Sequence, residues 1–176
     1  MRRWKLKTSE KDSQKERVVT PIRRMESKDN QAVANLVRTC LAAADLKQAG
    51  TAYYDPQLDD LYHYYTANTK RGYWVLVDDL DQVLAGCGFA EYQGDTAELQ
   101  KLYVNPDARG HGAAHQLMAQ VEAGAKAAGY TQLYLETHHN LKSAIQLYTN
   151  AHWTPLSGPM HVGPHTTMDY FFVKAL

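Results

Sequence analysis

The sequence predicts an α/β (α+β) fold with a mixed, mostly antiparallel sheet of about seven strands and about four flanking helices. Three observations support this prediction. Three consecutive strand-like runs are separated by short polar turns, which is the pattern of antiparallel neighbours. A glycine-containing turn then opens an amphipathic helix. A short apolar strand follows that helix, and a strand–helix–strand crossover requires its two strands to be parallel.

The N-terminal part of the predicted domain contains one strand and one helix. The strand is expected within residues 17–24, where Pro21 indicates an edge position because proline cannot donate to a sheet ladder. Ser27 or Asp29 can cap the helix that follows. The apolar face of this helix is predicted from helical spacing to contain Val33, Leu36, Val37, Cys40 and Leu41.

Residues 51–66 are rich in tyrosine and contain the second predicted helix. Asp55 and Pro56 are typical of a helix start, with the cap followed by proline at the first helical position. One face of that helix is predicted to pack in the core, through Leu58, Leu61, Tyr62 and Tyr65. The alternative is that Tyr53, Tyr54 and Asp55 line a binding pocket, since tyrosine has an apolar body and a polar tip.

The three central strands are expected at residues 73–77, 83–92 and 97–104. Their alternating and β-branched character predicts a hairpin followed by a third antiparallel strand. Gly86 and Gly88 lie inside the second run, where glycine indicates a bulge or a close approach of another group to the backbone.

The turn after the third strand is the most informative stretch of the sequence. Turn-forming residues end the strand, and the chain then continues through Arg109, Gly110, His111, Gly112, Ala113 and Ala114. Helical spacing follows in Ala114, Leu117, Met118, Val121 and Ala125, and Gly129 is placed for a left-handed C-terminal cap. Free backbone N–H groups and the helix dipole at such a turn predict an anion site, most often for phosphate.

The C-terminal part is predicted to complete the sheet. Residues 133–136 form a short apolar strand, and Asn140 can cap a helix that has Ala144, Leu147 and Tyr148 on one side. Residues 153–156 and 168–173 are expected to be the closing strands, joined by a loop that contains glycine and proline.

Charge and composition exclude several classes of protein. The 176 residues have a formal charge of zero, which does not suggest nucleic-acid binding. Residues 1–17 are basic, non-periodic and without an apolar segment, so we expect a disordered tail and no secretory signal. No apolar run has the length of a bilayer span. The rest of the chain is acidic, which modestly favours a cationic partner such as an amine.

The cysteines and histidines do not predict a metal site. Cys40 and Cys87 lie in apolar surroundings and are too few for a disulfide framework, which fits a reduced, cytoplasmic protein. Several histidines occur in the last third of the chain, but none has the spacing of a metal-binding motif. We therefore expect no metal.

The order of elements and the turn resemble the GCN5-related N-acetyltransferase (GNAT) superfamily over residues 17–176. The family's pyrophosphate signature is matched by Arg109, Gly112 and Ala114. The motif that precedes it in the family is matched by Val104, Pro106, Arg109 and Gly110. A later element is matched by Ala144, Leu147, Tyr148 and Trp153. Residues 98–101 and His165 also resemble bacterial small-molecule acetyltransferases. One departure is Leu141, which stands where the family often has asparagine.

The resemblance implies a single acetyltransferase domain over residues 18–176, with acetyl-CoA as co-substrate. The strand that ends at Val104 would splay from the parallel strand near Leu133, and pantetheine would lie in the gap. Backbone groups of Leu102, Tyr103 and Val104 would bind its amides, and Asn140 would replace the missing asparagine. Pyrophosphate would be bound at the turn by Arg109, Gly110, His111, Gly112, Ala113 and Ala114.

The resemblance also implies a mechanism of direct attack by an amine on the thioester. Tyr148 is the candidate general acid for the departing thiolate, and Glu98 is the candidate general base, acting through water. A structural role for each side chain stays open. The amine acceptor would be bound near Tyr53, Tyr54, Asp55 and His165. Neither nucleic acid nor a membrane is an expected partner, and a homodimer is left open.

Two other interpretations of the sequence remain. The first is a catalytically silent acyl-CoA-binding or regulatory protein on the same fold, which the departure at Leu141 keeps open. The second is a Rossmann-type dinucleotide enzyme, because Gly110 and Gly112 open a helix after a strand. Against it, the third glycine of that fingerprint is absent and the turn is too long.

Overall fold

The computed structural model describes residues 21–176. The predicted tail at residues 1–17 and the start of the predicted first strand lie outside these residues. The described chain forms strands β1 (Ile22–Arg24), β2 (Gly72–Val77), β3 (Val83–Gln93), β4 (Thr96–Val104), β5 (Gln132–Thr137), β6 (Thr154–Leu156) and β7 (Tyr170–Ala175). Its helices are α1 (Asn30–Ala43), α2 (Leu61–Thr66), α3 (Ala113–Ala127) and α4 (Lys142–Asn150). No helix within residues 21–176 has the length and apolar character needed to cross a membrane.

One seven-stranded sheet organises the described chain, in the order β1-β2-β3-β4-β5-β7-β6. All neighbouring strands are antiparallel except β4 and β5, whose parallel pairing covers only the start of each strand, from Thr96 with Gln132 to Glu98 with Tyr134. Beyond Glu98 the two strands separate. The predicted mixed sheet, with its splayed parallel pair and four helices, is therefore confirmed, and the doubly wound Rossmann alternative is wrong.

The two faces of the sheet carry separate apolar cores. On the face covered by α3, which we call the α3 face, the core includes Trp74, Phe89, Leu99, Leu117, Val121, Leu133 and Leu135. On the face covered by α1 and α2, called the α1 face, it includes Val33, Val37, Leu41, Tyr65, Tyr73, Val75 and Val77. Strand β2 is buried along its whole length because alternate side chains enter the two cores.

A bulge interrupts β4 where it leaves its partner β5. Gly88 pairs with Gln100 and Gly86 with Tyr103, so two residues of β4, Lys101 and Leu102, oppose one residue of β3. Lys101 has a φ of 52°, in the left-handed region that glycine usually occupies. The bulge shifts the alternation of β4, which places the side chains of Gln100 and Lys101 on the same face of the sheet.

Gly86 and Gly88 make room for an aromatic ring beside this bulge. A Cβ atom at either position would lie 2.5 Å from Tyr73, against its hydroxyl oxygen or its Cδ2 atom. The Tyr73 hydroxyl reaches past the glycines and donates a hydrogen bond of 2.9 Å to the carbonyl oxygen of Lys101. The prediction of a bulge or a close approach at these glycines is confirmed in both respects.

Of two predicted helix caps, Asp55 is confirmed in position but not in bonding and Asn140 is wrong, because both side chains bind elsewhere. Asp55 precedes a short 3-10 turn, Pro56–Asp60, and makes no capping bond, since its carboxylate contacts other segments of the chain. The Asn140 side chain donates to the carbonyl oxygen of Ala44 at 2.8 Å instead of capping α4. The cap predicted after α3 is confirmed, because Gly129 has a φ of 91°.

Packing of α3 on the sheet generates a stability prediction at Gly124. Gly124→Ala is expected to lower the free energy of unfolding by about 1–3 kcal/mol, because the added methyl group would overlap the ring of Trp74. At an open helical position the same exchange would instead stabilise by up to about 1 kcal/mol. Chemical denaturation measures the difference. The control is Ala123→Gly at the exposed neighbouring position, where only propensity changes. A Gly124→Ala protein more stable than wild type would contradict this packing.

Candidate active site

A groove of about 780 Å³ opens where β4 and β5 separate. Nine of the ten residues that the sequence predicted for cofactor binding line it: Leu102, Tyr103, Val104, Arg109, Gly110, Gly112, Ala113, Ala114 and Asn140. His111 belongs to the same turn but is exposed to solvent and lies outside the groove lining. The sequence did not predict the contribution of the end of α1, through Cys40, Ala43 and Ala44, or of the start of α4.

The turn before α3 presents backbone donors to this groove. Gly110 and Gly112 have φ values of 80° and 82°, so both need glycine for backbone conformation even though a Cβ atom would fit in the space. Helix α3 begins at Ala113 and receives no side-chain cap from the described residues. Its first N–H groups, with the positive end of the helix dipole, are therefore available to an anionic group.

Arg109 ties this turn to the end of β4. Its Nε donates to the carbonyl oxygen of Val104 at 3.2 Å, and its guanidinium group lies 3.9 Å from the Cys40 sulfur. The thiol of Cys40 also contacts the Val104 carbonyl oxygen, at 3.7 Å. The arginine thus holds the turn in place, and its charge remains at the groove wall.

The directions of the backbone N–H and C=O groups at the end of β4 follow from the alternation along the strand. The N–H of Asn105 donates to the carbonyl oxygen of Leu84 at 2.8 Å, on the β3 side. Successive residues of a strand direct their backbone groups to opposite sides. The N–H of Val104 therefore points away from β3, toward the gap that β5 has left, and the contacts of its carbonyl oxygen lie on that side as well.

Tyr148 is buried beside the groove, in the last turns of α4. Its ring packs against Trp153 and Phe172, with ring centroids 5.8 Å apart in both cases. Burial raises the pKa of the Tyr148 phenol, and the nearby Cys87 and Tyr103 raise it further. The phenol is therefore protonated at neutral pH. Its neighbours on the helix, Ala144 and Leu147, line the groove.

Two half-buried carboxylates lie on the α1 face near the point of separation. Glu98 of β4 accepts a hydrogen bond of 2.6 Å from the Gln100 side chain, and Glu136 of β5 accepts one of 2.9 Å from the Tyr134 hydroxyl. Burial raises the pKa of Glu136, and the negative charge of Glu98 adds to the rise. Both carboxylates can receive a positively charged or proton-donating group.

Asp55, Lys101 and His165 form a cluster next to these carboxylates, with Lys101 buried and the other two partly buried. The carboxylate of Asp55 pairs with the Lys101 ammonium group through one oxygen and with His165 Nε2, at 2.8 Å, through the other. Burial alone would raise the pKa of Asp55, but the bonds with His165 and Lys101 outweigh it and hold the pKa at about 2. The bond with Asp55 raises the pKa of His165.

The other two residues predicted for acceptor binding lie at the rim. Tyr53 is half-buried and contacts Tyr54 edge to face, with centroids 4.9 Å apart. Tyr54 is 59% exposed. The segment therefore directs Asp55 inward and Tyr54 to the surface, so the four predicted acceptor residues do not share one pocket wall.

Two groups of histidines and carboxylates come together only in three dimensions. Glu98, Glu136 and His165 each offer an atom within 4.8 Å of the others. His138, His139 and Asp169 form the second group. The sequence spacing did not indicate either, because the members come from different elements. In the first group each side chain already has a hydrogen-bond partner in the chain.

The described chain thus combines a mixed sheet that splits at a parallel pair with a glycine turn that opens a helix beside the split. The family model described as the Acetyltransferase (GNAT) family matches residues 34–153, which is more than half of the chain. The chain therefore belongs to this family.

Relatives agree with this assignment. The chain is 38% identical over 131 residues to the uncharacterized N-acetyltransferase YjgM of Escherichia coli (strain K12), covering 72% of this chain and 77% of that protein. A GNAT-family acetyltransferase of Staphylococcus aureus Mu50 superposes with a TM-score of 0.79, at 15% identity, covering 88% and 98% of the two chains. A phosphinothricin acetyltransferase of Sinorhizobium meliloti, in complex with acetyl-CoA, gives 0.67 at 17% identity, covering 89% and 88%. These two structures support the fold.

Proposed function

We propose that the protein transfers the acetyl group of acetyl-CoA to a primary amine by direct attack in a ternary complex. The observation that carries the proposal is the groove, which runs from the split between β4 and β5 to the uncapped start of α3. The amine would belong to a small molecule or a peptide. The similarity to an N-acetyltransferase and to a structure that contains acetyl-CoA supports the proposal.

The residues that line the groove fit the parts of acetyl-CoA. The N–H groups of the turn from Gly110 to Ala114 would bind the pyrophosphate, since small residues and a helix N-terminus favour a phosphate there. His111 would contact it from the solvent side. The backbone of residues 102–104 would bind the pantetheine amides, and the N–H of Val104 would stabilise the oxyanion that forms as the amine attacks. Asn140 and Arg109 would close the groove around the pantetheine part of acetyl-CoA.

Tyr148 is proposed as the general acid that protonates the departing thiolate. Its phenol is protonated at neutral pH, as an acid requires. Burial raises its pKa and so weakens it as an acid, but the same apolar surroundings also disfavour the thiolate and increase its need for a proton. Tyr148 stands four residues after Ala144, which lines the groove, so it lies on the same side of α4, and this supports the role.

Glu98 is proposed as the general base for the attacking amine, acting through water. It stands on β4 just before the split, on the α1 face, and its carboxylate is half-buried. The acceptor would approach from this face, between the rim residues Tyr53 and Tyr54 and the His165 loop, while Asp55 shapes the site from below. The two carboxylates, Glu98 and Glu136, would favour a cationic acceptor before its deprotonation.

A reducing, cytoplasmic environment fits the chain. Cys40 and Cys87 are both free and buried. Burial raises the pKa of both thiols, which keeps them protonated and unreactive at neutral pH. We therefore propose that the enzyme works in the cytoplasm, where thiols stay reduced.

Titration calorimetry with acetyl-CoA, followed by a screen of amines for CoA release, tests the proposed function. We expect binding by the wild type and weaker binding, by about tenfold or more, in Gly112→Ala, because alanine is strained at a φ of 82°. Gly94→Ala is the control, since Gly94 also has a positive φ, of 59°, but lies in the β3–β4 turn. Binding without CoA release for any amine would favour the silent acyl-CoA-binding protein. Failure to bind would contradict both.

Tyr148→Phe is expected to reduce kcat by about 10²-fold or more, since a positioned acid contributes that amount or more to proton transfer. Acetyl-CoA binding should change little, because the phenol does not belong to the pyrophosphate turn. Steady-state kinetics with the amine found in the screen measures both quantities. Tyr170→Phe, at an exposed position, is the matched control. An unchanged kcat in Tyr148→Phe would remove the acid role.

Glu98→Gln is expected to reduce kcat by about 10²-fold at neutral pH, with a deficit that shrinks as the pH rises. The reason is that an amine that is already neutral in solution no longer needs the base. The pH–rate profile measures this, and Glu136→Gln serves as the comparison on the neighbouring strand. A Glu98→Gln enzyme with the wild-type profile would contradict the role of Glu98.

A further inference from the structure

The direction of the Val104 N–H depends on the bulge at Lys101. The bulge adds one residue to β4 relative to β3, so residues 102–104 have the opposite alternation to that of a regular strand. If β4 ran without the bulge, a one-residue slip would turn the Val104 N–H toward β3 and away from the groove. The left-handed backbone of Lys101 is unfavourable for a residue with a Cβ atom, so its surroundings must hold it there.

Two contacts hold the bulge, one on the backbone and one on the side chain. The Tyr73 hydroxyl binds the Lys101 carbonyl oxygen at 2.9 Å. The Lys101 side chain is only 3% exposed, and its ammonium group pairs with Asp55, which is 10% exposed. Removing one partner of such a pair would leave a charge buried without compensation. Lys101 therefore cannot leave the bulge conformation without breaking its ion pair with Asp55.

Asp55 also binds the loop of residues 157–169, which joins β6 and β7. Its second oxygen contacts His165 Nε2 at 2.8 Å, and a second bond fixes the same loop to the same segment, from the Thr167 hydroxyl to the Gly50 carbonyl oxygen at 2.7 Å. One carboxylate thus joins three segments that are distant in the sequence: the segment before α2, the bulge of β4 and the β6–β7 loop.

We propose that Asp55 is a positioning residue for acetyl transfer: through Lys101 it sets the bulge that directs the Val104 N–H into the groove, and through His165 it holds the β6–β7 loop over the α1 face. The role rests on the proposed function but differs from substrate contact, because both oxygens of the carboxylate are occupied within the chain. Asp55 thereby couples closure of the acceptor side to alignment of the thioester.

The two bonds of Asp55 respond differently to pH. His165 faces Asp55, Lys101, Glu98 and Glu136, and its pKa is raised mainly by the Asp55 bond. A raised histidine pKa means that the bond contributes fully below the ordinary value of 6.5 and is lost as the pH rises through the raised value. The pair with Lys101 does not involve the imidazole and is not part of this change. The hold of Asp55 on the β6–β7 loop therefore weakens at alkaline pH, while the bond from Thr167 to Gly50 remains.

Amide hydrogen exchange on the free protein, combined with kinetics, tests the proposal. In Asp55→Asn we expect exchange of the Tyr103 and Asn105 N–H groups, which face β3, to rise by about tenfold or more while α3 stays protected. We expect kcat to fall by about tenfold or more with acetyl-CoA affinity within about threefold of wild type, because the pyrophosphate turn is untouched. Asp59→Asn, in the same segment but in a surface pair with Arg38, is the control and should change neither.

Two further variants separate positioning from stability. Asp55→Leu combined with Lys101→Met removes both buried charges, so it should regain stability while kcat stays low. His165→Gln should raise exchange only in residues 158–168 and raise the KM for the amine, with a difference from wild type that disappears as the pH increases. Recovery of wild-type kcat in the double variant, or unchanged exchange at Tyr103 and Asn105 in Asp55→Asn, would overturn the proposal. If the wild type transfers no acetyl group, the proposed function fails and the exchange measurement alone decides the role of Asp55.

Discussion

The bulge at Lys101 is the constraint on which the geometry of the site depends. The bulge lies where β4 leaves β5. It therefore sets the direction of the backbone N–H and C=O groups in the end of β4, which no longer pairs with β5. The conformation is unfavourable for lysine, and it persists because a tyrosine hydroxyl holds its carbonyl group and a buried aspartate holds its side chain. Local strain is here maintained by tertiary contacts at a functional position.

The contacts that hold the bulge depend on the packing of the α1-face core. Gly86 and Gly88 lack side chains, which lets the Tyr73 ring cross β3 and reach β4. The ring belongs to the α1-face core, so packing of α1 and α2 positions the hydroxyl. The groove itself lies between the end of α1 and the start of α4, and the bond from Asn140 to Ala44 connects those two elements. The proposed cofactor side and the proposed acceptor side of the site are therefore held by the same packed elements.

Charge is divided between the two sides of the split. The turn before α3 offers backbone donors, a helix dipole and Arg109, all suited to an anion. The α1 face offers Glu98 and Glu136, which suit a cation, and it keeps Asp55 ionised through two internal partners. This separation favours a reaction in which an anionic donor and a cationic acceptor approach from opposite directions.

The sequence alone determined the order of the elements, the apolar faces of the helices, the glycine turn before α3 and the cap of that helix at Gly129, because periodicity and turn chemistry act over a few neighbouring residues. It placed Asp55 correctly before the first helical residue but missed the partners of its side chain, and it misassigned Asn140 as a helix cap, since a short polar side chain that can cap a helix can equally bind a distant group. The cluster of Asp55, Lys101 and His165 joins residues up to 110 positions apart, and no local pattern marks such a contact. The glycine turn, visible from the sequence, is the proposed pyrophosphate site. The bulge, which needs the ring of Tyr73 and a buried ion pair, was decided by the tertiary structure because only packing can hold an unfavourable backbone conformation.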